Sequence, residues 1–270
     1  MTIAPLPVTL QLALQMPLPI VPLPVEALNI EPVAVPLAAR ALPTYKPTVG
    51  WKRTMGFSFA LARGNSNSSD LGFTGGIVRR TPRSQLSLTA RRFHGQQNGQ
   101  TSSDFFSSNL RDDHAIGKLD STALKRPSYF AETTFERDAL AKLDRRVLAN
   151  TGLSIPLSGD PTNNVALEIG AGLTHEKYST NVSRTRVGGV LRLAGSQKFG
   201  LANANQQLAA YPDLNDVAGR YRLNGDFNLG APLSKRVALT VGWMNRYDTR
   251  PQFQVKKLDY TIQSGLSLEF

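Results

Sequence analysis

The chain has no cysteine and only two tryptophans, three histidines and four methionines among its 270 residues. Disulfides and thiolate metal sites are therefore excluded. No apolar, charge-free run of about 18 residues occurs without prolines, so a membrane-spanning helix is not expected. Acids are scarce as well: 20 Asp and Glu stand against 31 Lys and Arg, a formal charge of +11. Such a balance raises the question of nucleic acid. The arginines, however, are spread at strand spacing, and no nucleic-acid motif interleaves aromatics with them. Nucleic-acid binding is not expected.

What is present is a two-residue period. Hydrophobic residues make up 41% of the chain, and the mean hydropathy of −0.22 hides a membrane barrel easily, because half of each barrel strand is polar. The clearest stretch is Tyr260 to Phe270. Tyr260, Ile262, Leu266, Leu268 and Phe270 share one parity, while Thr261, Gln263, Gly265, Ser267 and Glu269 share the other. In water that oily face would be an aggregation hazard, whereas in a closed membrane barrel it meets lipid. Gln263, Gly265, Leu268 and Phe270 also resemble the C-terminal assembly signal of bacterial outer-membrane barrels, which ends in alternating hydrophobics and an aromatic.

Alternation begins at Gly50. Met55, Phe57, Phe59 and Leu61 oppose Gly56, Ser58, Ala60 and Ala62, and Gly64-Asn65-Ser66-Asn67 reads as a turn. Leu71, Phe73 and Ile77 follow, then Thr81-Pro82-Arg83-Ser84 as a tight turn into Leu86 and Leu88. His94 to Thr101 reads as a polar loop, and 102–127 resists a clear pattern. Alternation resumes around Tyr129 to Glu136, Arg146 to Ser154, Val165 to Leu173, Arg184 to Leu193, Arg220 to Phe227 and Val237 to Arg246. Leu201 to Leu208 is weakly patterned. About twelve strands result, an even number as single-chain bacterial barrels require. The expected fold is all-β: a closed antiparallel transmembrane β-barrel over residues 49–270. A soluble β-sandwich is the alternative. Residues 1–48 carry prolines at Pro5, Pro7, Pro17, Pro19, Pro22, Pro24, Pro32, Pro36, Pro43 and Pro47. They read as a Pro-rich tail, either disordered or part of an export segment.

The patterned region resembles the YdiY-like family of salt-induced outer-membrane proteins, family 481 among domains of unknown function. Trp51 with Gly64-Asn65-Ser66, Gly170-Ala171-Gly172, Tyr247-Asp248-Thr249-Arg250-Pro251, Asp259-Tyr260 and the terminal Phe270 carry the resemblance, over residues 50–270. It implies a barrel in the outer membrane of a Gram-negative-type bacterium, among outer-membrane lipid. It implies no particular biochemical activity. The assembly signal implies the barrel assembly machinery as a partner.

The inward parity carries charge. Arg91, Arg146, Arg184, Arg186, Arg192, Arg220, Arg222 and Arg246 share it with Glu132, Glu136, Glu168, Asp226, Asp259 and Glu269. Guanidinium groups hold small anions in bidentate geometry, so a ring of them suits a narrow pore for small anionic solutes. Arginines paired with those acids would instead fill a plugged, structural lumen, and both readings stand at this stage. The enzymatic alternative is an outer-membrane lipid-acting hydrolase using His175, but no Asn-His-x-Ser motif surrounds that residue and no activity is expected. Asp112-Asp113-His114 lacks further ligands at metal spacing, and neither metal nor cofactor is expected. The pairs Gly75-Gly76 and Gly188-Gly189 read as points of barrel curvature rather than phosphate loops.

Overall fold

A computed structural model describes residues 50–63, 68–97, 100–117, 126–159 and 163–270. The tail expected at 1–48 and the turn expected at Gly64 to Asn67 lie outside the described residues. The strands are β1 (Gly50–Arg63), β2 (Ser68–Arg80), β3 (Ser84–Gln97), β4 (Gln100–Ala115), β5 (Ser128–Asp138) and β6 (Leu143–Gly159), followed by β7 (Asn163–Tyr178), β8 (Ser183–Phe199), β9 (Ala202–Pro212), β10 (Tyr221–Pro232), β11 (Val237–Asp248) and β12 (Leu258–Glu269). All twelve pair antiparallel with their sequence neighbours, and β1 pairs with β12, so the sheet closes into a barrel. A sandwich would need two sheets with free edges, and that alternative falls.

Faces follow the alternation. On β1, Met55 and Phe57 are 54% and 49% exposed, while Ser58 and Ala60 are 3% and 0% exposed. Leu71, Phe73, Leu153, Ile169, Leu173, Leu191, Val241 and Ile262 are likewise outward and exposed. A continuous apolar exterior of this kind is costly in water and matches the lipid side of a transmembrane barrel. Closure leaves no strand edge unpaired in hydrocarbon.

The turns are made by local side-chain chemistry. The Thr81 hydroxyl accepts the Ser84 amide at 2.9 Å, which secures the expected 81–84 turn. Asp138 accepts the amides of Leu140 and Ala141 at 3.2 and 3.1 Å, closing the turn from β5 to β6. Gly200, between β8 and β9, sits at φ +57°, where a side chain would be strained.

Two expectations are corrected. His94 to Gln97 continues β3 and Gln100 to Thr101 begins β4, rather than forming a polar loop. The stretch 102–115 is strand as well. Its outward row (Asp104, Phe106, Ser108, Leu110, Asp112) is nearly as polar as its inward row (Ser103, Phe105, Ser107, Asn109, Arg111, Asp113), so no hydrophobic period marks it. Asp112 and His114 therefore point outward and Asp113 inward, and the three do not converge on an ion. Among the described residues no group of three His, Asp or Glu could hold a metal.

Strands β6 and β7 approach closely at paired glycines. A Cβ added at Gly152 would lie 2.3 Å from the Ile169 carbonyl, and one at Gly170 would lie 2.2 Å from the Thr151 carbonyl. Gly170→Val should cost about 1–3 kcal/mol, read as a lower urea midpoint and loss of heat-modifiable gel migration. Gly75→Ala, where the added methyl meets nothing within 4 Å, should leave both unchanged.

Candidate functional site

The inward charges form two tiers. One lies toward the end of the barrel that holds Gly50 and Glu269, here the terminus end. Arg111 of β4 is its centre. The guanidinium donates to Asp113 through Nε at 2.7 Å, to Glu132 through Nη1 at 3.2 Å and to Glu168 through Nη2 at 3.1 Å. Arg192 of β8 binds the same two glutamates, reaching Glu168 at 2.6 Å. The Asn150 amide donates to Glu132 at 3.1 Å. Beneath the pair lies Phe130, whose ring centroid is 4.2 Å from the Arg111 guanidinium carbon. Arg111 is 1% exposed and Glu168 0% exposed. Side chains this well covered brace one wall of the lumen, from β4 to β8.

The second tier sits toward the far end. Arg146 donates to Glu176 at 2.7 Å and to Glu136 at 3.0 Å. Arg186 also donates to Glu176 and lies 3.8 Å from Asp213, while Arg246 lies 3.9 Å from Glu136. Arg222 makes a cation–π contact, 5.0 Å from the Tyr211 ring. Beside this tier Ala60, Phe93, Phe105 and Met244 pack into a small apolar cluster, capped by Arg246 at 4.3 Å from the Phe105 ring.

Between the tiers lies a polar chamber of about 160 Å³. Hydroxyls and amides line most of it (Thr74, Thr89, Ser107, Asn109, Thr134, Asn224), together with Arg91 and Asp226, which stand 3.8 Å apart. A smaller cavity of about 40 Å³ opens at the far end among Arg186, Arg220, Arg222, Glu176, Asp213 and Asp248. Tyr211 borders both spaces. Arg220, on the β9–β10 connection, has its pKa lowered by burial and then by the nearby charges of Arg186 and Arg184. Glu176 and Asp248 act the other way and offset part of that repulsion.

The expected inward arginines therefore reach the lumen or its mouth, though not as one ring. Arg192 and Glu168 belong to the lower tier. Arg146, Arg186, Arg222 and Arg246 belong to the upper one, Arg91 and Asp226 to the chamber, and Arg184 and Arg220 to the mouth. Glu269 pairs instead with Lys52 at 2.7 Å on the terminus rim, and Asp259 stands opposite Arg246 in register. Arg111 and Glu176 are not singled out by the sequence, and Asp113 stands out there only with Asp112 and His114 as a candidate cation site, not as a partner of Arg111. Glu176 shares the parity of Glu168, so extending the alternation past Leu173 would have found it. Arg111 lay in a stretch with no readable face.

At the seam, Gln263 is buried, and Gly265 and Leu268 face Ser58 and Met55 of β1 in register. Phe270 exchanges backbone hydrogen bonds with Arg53 at 3.0 and 3.2 Å. His175 faces outward with its Nδ1 2.9 Å from the Thr185 hydroxyl. The serine nearest in sequence, Ser179, bonds the Lys142 carbonyl at 3.4 Å instead, so a Ser–His pair is not assembled there.

The sequence profile described as "Protein of unknown function, DUF481" matches residues 55–270. The chain belongs to the DUF481 family. Solved barrels similar to this DUF481 chain include the NanC porin, at 9% identity and TM-score 0.53, covering 79% of this chain and 98% of that one. The KdgM porin aligns at 12% identity and TM-score 0.45, over 80% and 99% of the two chains. Outer membrane phospholipase A from Escherichia coli aligns at 10% identity and TM-score 0.37, over 80% and 95%. At these identities the likeness is one of fold. None of the curated proteins compared matches the chain.

The lower tier offers a stability test. Arg192→Gln leaves Glu132 and Glu168 short of a buried cation and should cost about 3–5 kcal/mol in urea unfolding from lipid vesicles. Arg92→Gln, which breaks an exposed contact to Asp104 at 3.0 Å, should cost at most about 1 kcal/mol.

Proposed function

We propose that this DUF481 barrel resides in the outer membrane of a Gram-negative-type bacterium, termini toward the periplasm, and forms a narrow pore for small anionic solutes. The observation that carries the reading is the mouth. Arg186, Arg220 and Arg222 face a cavity at the far end, Arg184 stands beside them, and Tyr211 lies between that cavity and the polar chamber, lining both. Below the chamber the Arg111–Arg192 tier narrows the lumen. Twelve strands place the interior between the packed eight-strand case and open porins. The pore is accordingly small, with charged walls and little free cross-section. Induction by salt, which the resemblance implies, fits a conduit for small ions and osmolytes.

Single-channel recording of the refolded barrel in a planar bilayer under a salt gradient tests the pore. Small discrete steps with a reversal potential favouring anions are expected. Arg184→Gln, Arg186→Gln, Arg220→Gln and Arg222→Gln together should move that potential toward cations. A correctly folded barrel that passes no current would overturn the pore, and the charge tiers would then be purely structural.

Insertion is proposed to run through the barrel assembly machinery, with Gln263 to Phe270 as the recognised strand. Phe270→Ala should lower the folded, heat-modifiable fraction in outer-membrane extracts several-fold. The purified variant, whose Arg53–Phe270 backbone bonds need no side chain, should still refold in detergent.

A further inference from the structure

The outer wall at the far end carries cations that the lumen does not use. Arg137, Arg145 and Lys177 stand on three adjacent strands, β5, β6 and β7, and all three are exposed. Arg145 and Lys177 are direct cross-strand partners, and like charges in that position repel. A register shift between Leu143 and Arg145 makes the arrangement. It turns both Asp144 and Arg145 to the outside while Leu143 and Arg146 stay inward. Neither Arg145 nor Lys177 makes an ion pair among the described residues. Arg137 shares one acid, Asp104, with Arg92, at 4.0 and 3.0 Å respectively. Asp104 and Asp144 are the acids of this patch.

Toward the membrane from these cations the same strands turn largely apolar, with His175 between Lys177 and Leu173 on β7 as the polar exception. Phe135 stands opposite Val147 and packs 6.0 Å from Phe106. Leu173 lies opposite Ala149 one step further down. The surface thus has two parts in the right order: a cationic row at the rim and an oily wall beneath it.

The geometry points to a binding site for a diphosphorylated, multiply acylated glycolipid of the outer leaflet. Its phosphates would rest on Arg137, Arg145 and Lys177, and its acyl chains along Phe135, Val147 and Leu173. Adjacent strands are about 4.8 Å apart, so the outer two cations stand roughly 10 Å apart across the sheet. That span suits more than one phosphate. Charge-assisted bonds to phosphate would also remove the repulsion between Arg145 and Lys177. The assignment rests on the orientation proposed above, with the far end facing outward. It is independent of whether the lumen conducts, because these side chains point away from it.

The test uses the full refolded barrel in detergent, titrated with diphosphoryl lipid A, monophosphoryl lipid A and phosphatidylethanolamine, with bound lipid read by native mass spectrometry. Diphosphoryl lipid A should bind at least several-fold more tightly than the other two, and millimolar inorganic phosphate should not displace it. Arg145→Gln with Lys177→Gln should weaken lipid A binding about tenfold. Channel behaviour and heat-modifiable migration should stay as in the parent protein. Arg53→Gln with Arg79→Gln, outward cations at the terminus end, should leave lipid A binding unchanged. Equal binding of all three lipids would overturn the site. So would unchanged binding in the Arg145/Lys177 variant, or an equal loss in the Arg53/Arg79 variant, which would make the effect one of net charge alone.

Discussion

Everything in this barrel depends on the pairing of β1 with β12. In hydrocarbon a free strand edge leaves a row of unsatisfied amides and carbonyls, each costing several kcal/mol, so the sheet must close. Closure runs from Thr54 opposite Glu269 to Arg63 opposite Tyr260, and the Arg53–Phe270 backbone bonds extend it by one residue. Once that seam forms, every strand has one face toward lipid and one toward an enclosed lumen. The alternation of Met55, Phe57 and Phe59 with Ser58 and Ala60 is the chemical consequence.

An enclosed lumen raises a second requirement. Its walls are polar and the space is narrow, so charges placed there must find partners or keep water. Arg111 and Arg192 take the first course, sharing Glu132 and Glu168 so that each carboxylate meets two guanidiniums. The mouth takes the second course. Arg220 is only part-buried and feels Arg186 and Arg184 as well as Glu176 and Asp248. In the proposed pore, structure and conductance would therefore draw on different arginines, the deep ones bracing the wall and the shallow ones setting the field at the far end.

The outer face follows the same division of labour. Most of it is apolar and does nothing more specific than dissolve in lipid. Cations appear where the strands leave the hydrocarbon, and at β6 a register shift turns two consecutive charged residues outward. A bulge that costs ladder hydrogen bonds is retained where it re-aims a side chain, and here it sets Arg145 against Lys177.

Sequence by itself determined the faces and the number of strands. A two-residue period with a terminal aromatic is local information, and it held in Met55 to Leu61, in Val165 to Leu173 and in Tyr260 to Phe270. It failed along β4, because Asp104, Ser108 and Asp112 leave the lipid side of that strand too polar to stand out from the lumen side. Which arginine meets which carboxylate was decided only by the tertiary structure. Arg111 and Glu168 are 57 residues apart, and Arg192 and Glu132 are 60 apart. Alternation says that these side chains point inward. It carries no information about strand register, tilt and curvature, and those set the distances across the lumen.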